Sequence, residues 1–402
     1  MRPVKRNNNP AYQVPAEIQI ANASVKAFFD WEQFPRRTAT IFYSPAILKW
    51  MADATAVNMG AEKWTKLVAH YAQYKKGPSA IKAITYLMDN VFAKGTNTAY
   101  GNARLSLIQN FGQYCSYCGM PVYDSSLAVE HVLPKASFPD QMMCYPNFLV
   151  ACPICNSIKN EQPSYSQSLK WWKTTNPLVP KPSYTQIKDA GQFDCILPDD
   201  RPNNINAYAF KAFTLSLWQY VPPFNQPIAD TLAYDLRNYW LSTNNNKVTA
   251  AVWDGNNLVQ WEVFTQYAEA DPAPKQPYTL QRAKKTIDYV GLNRTGPGDD
   301  KMTDRRNINR TVAFFEAITA YVRLQIVFTT VGPGNVYDLF CNQVFITARL
   351  SGFYEIWINV LGYLCQQPAS KIPGLYGIFK ADTCDPAKPY AYFTGTDASR
   401  LP

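Results

Sequence analysis

The chain has 402 residues, with 39 Lys or Arg against 30 Asp or Glu, and a formal net charge of +9. Charged residues make up 17% of it and hydrophobic residues 47%, which excludes disorder over most of its length. Its length predicts two or three structural units. Only two histidines are present, His70 and His131, so a histidine-rich metal site is excluded. The positive surplus suits an anionic partner such as nucleic acid, and an ordinary basic protein equally well.

The first part of the sequence predicts a basic leader over 1–12 and a separate helical region over 13–96. Helix-start signals and apolar spacing predict three helices in that region, beginning near Ser44, Ala61 and Ser79. His70 falls within the second of these helices and is interpreted as a structural or surface residue. The whole region is interpreted as an insertion with its own role, such as partner docking.

The remaining sequence divides into three further units by its motifs and composition. A helix from Thr98 to Phe111, stopped by Gly112, opens a core region over 97–200. A mixed, strand-containing region covers 201–300, and a helical region covers 301–402. Short strands are predicted at 193–198 and 207–216, a hairpin pairs 250–253 with 258–263, a loop covers 295–301, and two long helices span about 305–330 and 336–366.

The chain is expected to be cytoplasmic. Its basic start runs into Asn7 rather than an apolar stretch, so a secretory signal is not predicted. The two most apolar stretches, 311–331 and 340–365, each contain charged residues, whereas a membrane-spanning helix needs about 20 apolar residues with few charges. No membrane association is therefore predicted.

The nine cysteines fall into two groups. Five are scattered among apolar residues and are predicted to be reduced, buried thiols: Cys144, Cys195, Cys341, Cys365 and Cys384. The other four form the pairs Cys115–Cys118 and Cys152–Cys155, each with the i, i+3 spacing of a zinc knuckle. Two such knuckles complete a tetrahedral four-cysteine site, so a structural Zn²⁺ is predicted.

The segment between the two knuckles is longer than the one in a simple zinc ribbon. It contains Glu130-His131 followed by Pro134-Lys135, then Asn147, and the second knuckle runs directly into Asn156 and Lys159. This combination resembles the HNH endonuclease family, also called ββα-metal or His-Me finger nucleases. The resemblance implies an α+β fold in which a zinc-clamped ββα-metal finger is embedded in a mainly α-helical chain of several parts.

The same resemblance implies roles for individual residues. His131 would be the general base, because histidine exchanges protons near neutral pH. Glu130 and Asn156 would bind a catalytic Mg²⁺ or Mn²⁺, which oxygen ligands favour over zinc, and Asn147 would hold the loop that orients His131. Two lysines, Lys135 and Lys159, are candidates for contacts with flanking phosphates.

Looser similarity to the same bacterial group continues downstream, in the segments around 290–310 and 347–357. A cluster of basic residues there is a candidate for phosphate contact or a solvated helix face: Arg282, Lys284, Lys285, Arg294, Arg305, Arg306 and Arg310. One departure is Gly119, which stands where the family often has Glu, so any role of that Glu is absent or filled elsewhere. Several family members act in bacterial defence against phage, some beside an ATPase, which implies a similar partner here.

The function predicted from the sequence is therefore metal-dependent cleavage of DNA, with anti-phage defence as its setting. Two alternatives remain open. The same finger cuts RNA in some proteins, and a purely structural zinc module would bind nucleic acid without cutting it. Activity that waits for a partner or ligand at the helical regions is a third possibility.

Overall fold

The structure of the chain is a computed structural model. It describes the following residues: 14–15, 18–19, 22, 96–134, 138, 141–160, 184–190, 192–195, 197, 213–221, 224–227, 239–244, 247–253, 258–269, 277–293 and 305–384. The helices predicted within 13–95, the loop at 295–301, Lys135 and Arg294 lie outside these residues. The described part of the chain is mixed and mostly helical, with one small strand pair and one larger sheet.

The small strand pair belongs to a compact unit of four elements, with a 3-10 turn (Tyr145–Asn147) leading into its second strand. The elements are α1 (Thr96–Phe111), β1 (Ala128–His131), β2 (Phe148–Ala151) and α2 (Pro153–Lys159). Strands β1 and β2 pair antiparallel, with His131 opposite Phe148. Proline at the first position of α2 suits a helix start because its missing N–H would have no partner there.

Helix α1 covers this strand pair through one apolar stripe. Ala103, Leu107 and Phe111 are fully buried and recur at every fourth position, which places them on one face of the helix. All four residues of β2 are buried, and α1 packs against this strand. The predicted helix ending at Phe111 is confirmed, and Gly112 ends it in a left-handed conformation (φ 71°) that glycine adopts without strain.

The larger sheet has five antiparallel strands in the order β4-β3-β7-β6-β5. Its strands are β3 (Phe213–Val221), β4 (Phe224–Pro227), β5 (Tyr239–Asn244), β6 (Lys247–Trp253) and β7 (Leu258–Glu269). The predicted hairpin is confirmed as β6 and β7, which pair from Trp253 opposite Leu258. The strand predicted at 193–198 is wrong for the residues described there. Phe193 and Leu197 are buried by packing in the core, with Phe193 against the ring of Tyr184, rather than by strand pairing.

Six further helices complete the described fold. They are α3 (Tyr184–Asp189), α4 (Pro277–Tyr289), α5 (Arg305–Val331), α6 (Asn335–Ser351), α7 (Tyr354–Gln366) and α8 (Leu375–Cys384). The prediction of one continuous helix over 336–366 is wrong. The chain breaks at Gly352 (φ 74°) and Phe353 (φ 53°), both left-handed, and this corner places the Phe353 N–H 2.9 Å from the carbonyl oxygen of Gly119.

A second hydrophobic core lies among α5, α6, α7 and α8. Its centre is aromatic: the ring of Phe379 stacks on Trp357 and Tyr354 and meets Phe345 edge-on. Trp357 and Phe379 are fully buried. This core contacts the small strand unit through Tyr114, whose hydroxyl donates to the carbonyl oxygen of Arg349 at 2.9 Å.

Helix α5 is long and apolar enough to cross a bilayer, as judged by length and composition. Its charged residues Glu316 and Arg323 therefore do not by themselves exclude a membrane span, contrary to the argument from sequence. In this structure α5 packs against β7, α6 and α7, and 44% of its most apolar window is buried. A core helix has these properties too, and the cytoplasmic location stays a prediction.

Candidate functional site

The four paired cysteines meet in one buried cluster. Their Sγ atoms all lie within 4.8 Å of one another, and all four side chains are fully buried. The Sγ atoms of Cys118 and Cys152 are 3.8 Å apart. Four thiolates around a zinc ion at 2.3 Å would be about 3.8 Å apart, the edge of the tetrahedron. The arrangement therefore fits a zinc ion, and the prediction that these four residues come together in one cluster is confirmed. The zinc ion itself stays a prediction.

Local backbone geometry forms each half of the cluster. After α1 the chain makes a tight turn in which the Gly119 N–H donates to the carbonyl of Cys115 at 2.9 Å. At the other half, Cys152 caps α2 and its Sγ accepts from the Cys155 N–H at 3.4 Å. The Ser116 N–H donates to the carbonyl of Val150 at 2.8 Å. That bond ties the first knuckle to β2, the strand that leads into the second.

The chemistry of the cluster favours a metal over free thiols or disulfides. None of the four cysteines forms a disulfide in the structure. Burial raises the pKa of the Cys118 and Cys155 thiols well above its ordinary value, whereas at Cys115 burial is outweighed by hydrogen bonds from the other three thiols, which lower the pKa. Only a buried cation would hold several of these sulphurs as thiolates, and a four-sulphur set is the ligand choice of Zn²⁺. Four of the five scattered cysteines, Cys144, Cys195, Cys341 and Cys365, are also buried free thiols as predicted, whereas nothing is described of the Cys384 side chain.

A carboxylate lies beside Gly119, where the resemblance would have placed a glutamate. Gly119 is left-handed (φ 77°), and a Cβ at this position would be 2.8 Å from Oε2 of Glu355. Glu355 belongs to α7, is 7% exposed and accepts a hydrogen bond of 2.6 Å from the Tyr267 hydroxyl. The space of the missing side chain is thus filled from a distant helix, which the sequence did not reveal.

His131 ends β1, and its ring is held from two sides. The Phe148 ring meets it edge-on at 4.9 Å between centroids. Its Nε2 lies 2.8 Å from the carbonyl oxygen of Met142. Because a carbonyl only accepts, Nε2 carries the proton in the neutral ring and Nδ1 is the basic nitrogen. The residue is 7% exposed, so any substrate would have to approach one edge of the imidazole.

Asn147 lies where the expected loop-holding role requires it. Its fully buried amide accepts from the Leu133 N–H at 2.7 Å and donates to the carbonyls of Leu133 and Gln141 at 3.1 Å each. The Asn147 carbonyl also accepts from the Val132 N–H at 3.0 Å. One side chain thus ties Leu133, which lies two residues after His131, to Gln141, the neighbour of Met142.

Glu130 and Lys159 form a buried ion pair, which differs from the roles that the resemblance implies. The Lys159 Nζ is 2.5 Å from Glu130 Oε1 and donates to the carbonyl of His131 at 2.6 Å. The two side chains are 3% and 1% exposed, so Lys159 is not on the surface and the expected phosphate contact is wrong for this arrangement. Burial raises the pKa of Glu130 to about 7, with the charge of Lys159 acting in the opposite direction.

Asn156 lies on α2, one turn before Lys159, and is half-buried. Helix α2 packs against β1. The structure thus brings Glu130, His131 and Lys159 together through the bonds of Lys159. Asn147 bonds to Val132 and Leu133, which follow His131, and Asn156 lies on the adjoining helix.

The basic cluster predicted for 282–310 divides into two classes. Arg282, Arg306 and Arg310 are buried, so neither phosphate contact nor a solvated face describes them. Arg282 donates to the carbonyl of Cys195 at 2.8 Å, and Arg306 donates to Cys155 Sγ at 3.0 Å. By contrast, Lys284, Lys285 and Arg305 are exposed. The Arg306–Cys155 contact was not predicted from the sequence, because it joins residues 151 positions apart.

Comparison with known proteins gives one weak similarity. The chain is 29% identical over 96 residues to the Septu protein PtuB of Bacillus thuringiensis. The similar region covers 23% of this chain and 35% of that protein, so the chain spans about a third of its relative's length. No protein-family model matches the chain. No solved structure matches it either.

Proposed function

We propose that this chain is a metal-dependent HNH endonuclease that hydrolyses phosphodiester bonds of DNA and is stabilised by a structural zinc ion. The observation that carries the proposal is the position of His131. It ends the first of two antiparallel strands that lead into a helix, and its Nε2 is oriented by the Met142 carbonyl. The four-cysteine cluster holds the base of the same unit.

The proposed chemistry needs one proton acceptor from the protein. In the tautomer set by the Met142 carbonyl, Nδ1 of His131 accepts the proton of the attacking water as the new bond to phosphorus forms. The bond from phosphorus to the leaving oxygen then breaks, and that oxygen takes a proton from solvent water. Asn147 contributes by binding the backbone of Leu133 and Gln141, two residues from His131 and one from Met142, so the imidazole is held in place before the reaction.

The two residues that the resemblance assigns to Mg²⁺ or Mn²⁺ fit that ion unequally. Asn156 is half-buried and offers an amide oxygen. Glu130 is paired with the ammonium of Lys159 in a buried site, which does not fit a metal ligand. A divalent ion would supply charge stabilisation at the phosphate, and Mg²⁺ characteristically takes few protein ligands, with water and phosphate as the rest. We therefore assign Asn156, and not Glu130, to that ion.

The decisive test is cleavage by His131→Ala. Purified wild-type protein is incubated with supercoiled plasmid in Mg²⁺, Mn²⁺ or EDTA, and nicked and linear products are quantified. We expect wild-type cleavage in the divalent ions and at least a 100-fold lower rate for His131→Ala, because a general base contributes about 10²–10⁴ in rate. His70→Ala is the control, since it removes the other histidine of the chain and should retain activity.

The outcomes separate the competing functions. Equal cleavage by wild type and His131→Ala would refute the mechanism. Cleavage of total RNA but not of plasmid by the wild type would indicate a ribonuclease of the same fold. The buried Glu130–Lys159 pair favours a second candidate, a zinc-stabilised module that binds nucleic acid without cutting it. That candidate predicts salt-dependent DNA binding with no cleavage in any metal.

We further propose that the protein acts in anti-phage defence together with a partner protein, such as an ATPase. The similarity to the Septu protein PtuB supports this setting. In plaque assays, cells carrying the gene with its neighbours should be protected, and cells with His131→Ala should lose that protection. Affinity purification from the same cells should recover the partner. If the wild type and His131→Ala protect cells equally, the defence role does not depend on the proposed nuclease activity.

A further inference from the structure

One buried arginine from a distant helix contacts the cysteine cluster directly. We propose that Arg306 is a positioning residue of the zinc site: it holds Cys155 by a hydrogen bond and offsets part of the cluster's negative charge. Helix α5 thereby sets how tightly the metal is held. The inference rests on the zinc part of the proposed function and is independent of nuclease activity.

The geometry aims the guanidinium at the sulphur. Arg306 is 1% exposed, and its Nη1 donates to Cys155 Sγ at 3.0 Å and to the carbonyl of Val290 at 2.9 Å. Its Nη2 donates to the carbonyl of Gly291 at 2.8 Å. The guanidinium is planar and rigid, so two carbonyls just beyond α4 fix its plane and with it the direction of the N–H that reaches the sulphur.

Charge explains why an arginine belongs there. A zinc ion with four thiolates carries a net charge of about −2, and burying such a charge is costly unless it is paired. The guanidinium stays protonated at any relevant pH and makes a charge-assisted hydrogen bond to the thiolate. Hydrogen bonds to metal ligands orient them, and loss of such a partner costs about 10–100-fold in metal affinity.

The same helix provides a matched control one turn further on. Arg310 is fully buried, donates to the carbonyls of Leu292 at 3.0 Å and Thr265 at 2.8 Å, and lies over the Tyr267 ring. Both arginines therefore fasten α5 to the rest of the fold through backbone carbonyls. Arg306 differs in donating to a cysteine of the cluster.

The test compares Arg306→Met and Arg306→Lys with Arg310→Met and Arg310→Lys in the full chain. Zinc content is measured first in the wild type, followed by the rate of zinc loss to EDTA and the zinc affinity by competition. The proteins are then loaded with Co²⁺ and the thiolate-to-cobalt charge-transfer band is recorded. That band reports the electron density on the sulphurs, which a purely structural role would leave unchanged.

We expect both Arg306 variants to bind zinc about 10–100-fold more weakly and to shift the cobalt band, while the Arg310 variants, measured under conditions in which they are folded, keep wild-type values. Unchanged affinity and band in Arg306→Met, or equal shifts in the Arg310 pair, would overturn the inference. If the two Met variants do not fold, the comparison of Arg306→Lys with Arg310→Lys tests the inference. An Arg306→Lys protein that fails to fold at any zinc concentration would show a fold-wide role instead and also overturn it. A wild type without zinc would refute the metal site itself.

Discussion

At the scale of single residues, the candidate site is distinguished by charged side chains that are buried and paired. Glu130, Lys159 and Arg306 are each at most 3% exposed, and each has a partner within 3.0 Å. A buried charge without a partner would be strongly destabilising. The stability of this region therefore depends on a few specific contacts, and a substitution there should act by leaving one of these buried charges without its partner.

The cysteines allow the most direct test at this scale. Replacing Cys152 and Cys155 with Ser should abolish zinc binding and the cooperative unfolding of the strand unit, because structural zinc contributes about 10–16 kcal/mol in small zinc domains. Zinc content by mass spectrometry and thermal unfolding measure this. Cys195→Ser, a buried thiol in the same core, is the control and should keep its zinc. Full stability in the double variant would contradict the zinc site.

The positions of residues whose partners lie close along the chain could be predicted from the sequence. The i, i+3 cysteine spacing identified both halves of the cluster, and the motif located His131 and Asn147. It could not predict Arg306 beside Cys155 or Glu355 beside Gly119, because these contacts join segments more than 150 residues apart. Tertiary packing alone brings such partners together, and local patterns carry no information about it.

At the scale of elements, one ion pair joins strand to helix: Glu130 on β1 and Lys159 on α2. The same lysine donates to the carbonyl of His131. The pair thus ties the helix to the backbone of the proposed general base, and it gives the fold a dependence on pH.

The sign of that dependence follows from the raised pKa of Glu130, which burial moves from 4.5 to about 7. A raised pKa means that the folded state binds the proton more tightly than the unfolded state. Protonation of Glu130 therefore contributes to the free energy of unfolding below about pH 4.5, and that contribution is lost as the pH rises through 7. Between pH 5 and 7, the free energy of unfolding of the wild type should fall by up to about 1.4 kcal/mol per pH unit because of Glu130, and Glu130→Gln should remove this fall. Denaturant unfolding across that range measures the slope.

The double variant Glu130→Gln/Lys159→Met serves as the control for this experiment. It removes the buried ammonium that the single variant leaves without its carboxylate partner, so it should recover part of the stability lost in Glu130→Gln. Identical pH slopes in the wild type and Glu130→Gln would show that Glu130 is already ionised throughout this range.

Elements with strong local signals were predicted, and elements decided by tertiary contacts were not. The β6–β7 hairpin has alternating apolar strands around a turn sequence, and it was predicted; the structure pairs Trp253 with Leu258 at its turn end. The break between α6 and α7 was missed because apolar periodicity continues across it. A non-glycine residue, Phe353, is left-handed there, and its N–H bond to Gly119 accompanies that conformation.

At the scale of the whole molecule, the α6–α7 corner packs onto the first knuckle. Phe353 donates to the Gly119 carbonyl, and a Cβ on Gly352 would be 2.5 Å from the Pro121 ring. The cysteine cluster is therefore covered by the C-terminal helices, and it is contacted by α5 through Arg306.

This close approach predicts a large effect of a single methyl group. Gly119→Ala should destabilise the protein by about 3 kcal/mol, combining left-handed strain with overpacking, since its Cβ would be 2.8 Å from the Glu355 carboxylate and 3.2 Å from the Phe353 backbone. Gly101→Ala in α1 meets no atom within 4 Å and should stabilise by about 0.5–1 kcal/mol. Denaturant unfolding of both variants measures the contrast, and equal stabilities would contradict the packing.

The contact between Tyr114 and Arg349 spans 235 residues, which has a consequence during synthesis on the ribosome. At about 5–20 residues per second, the first knuckle leaves the ribosome on the order of 10–50 s before the segment that covers it. For that interval the cluster lacks the contacts that α5 and the α6–α7 corner provide, and its sulphurs are more accessible to oxidants and to competing metals. Zinc supply during translation, rather than after it, should therefore determine how much of the newly made protein reaches the folded form.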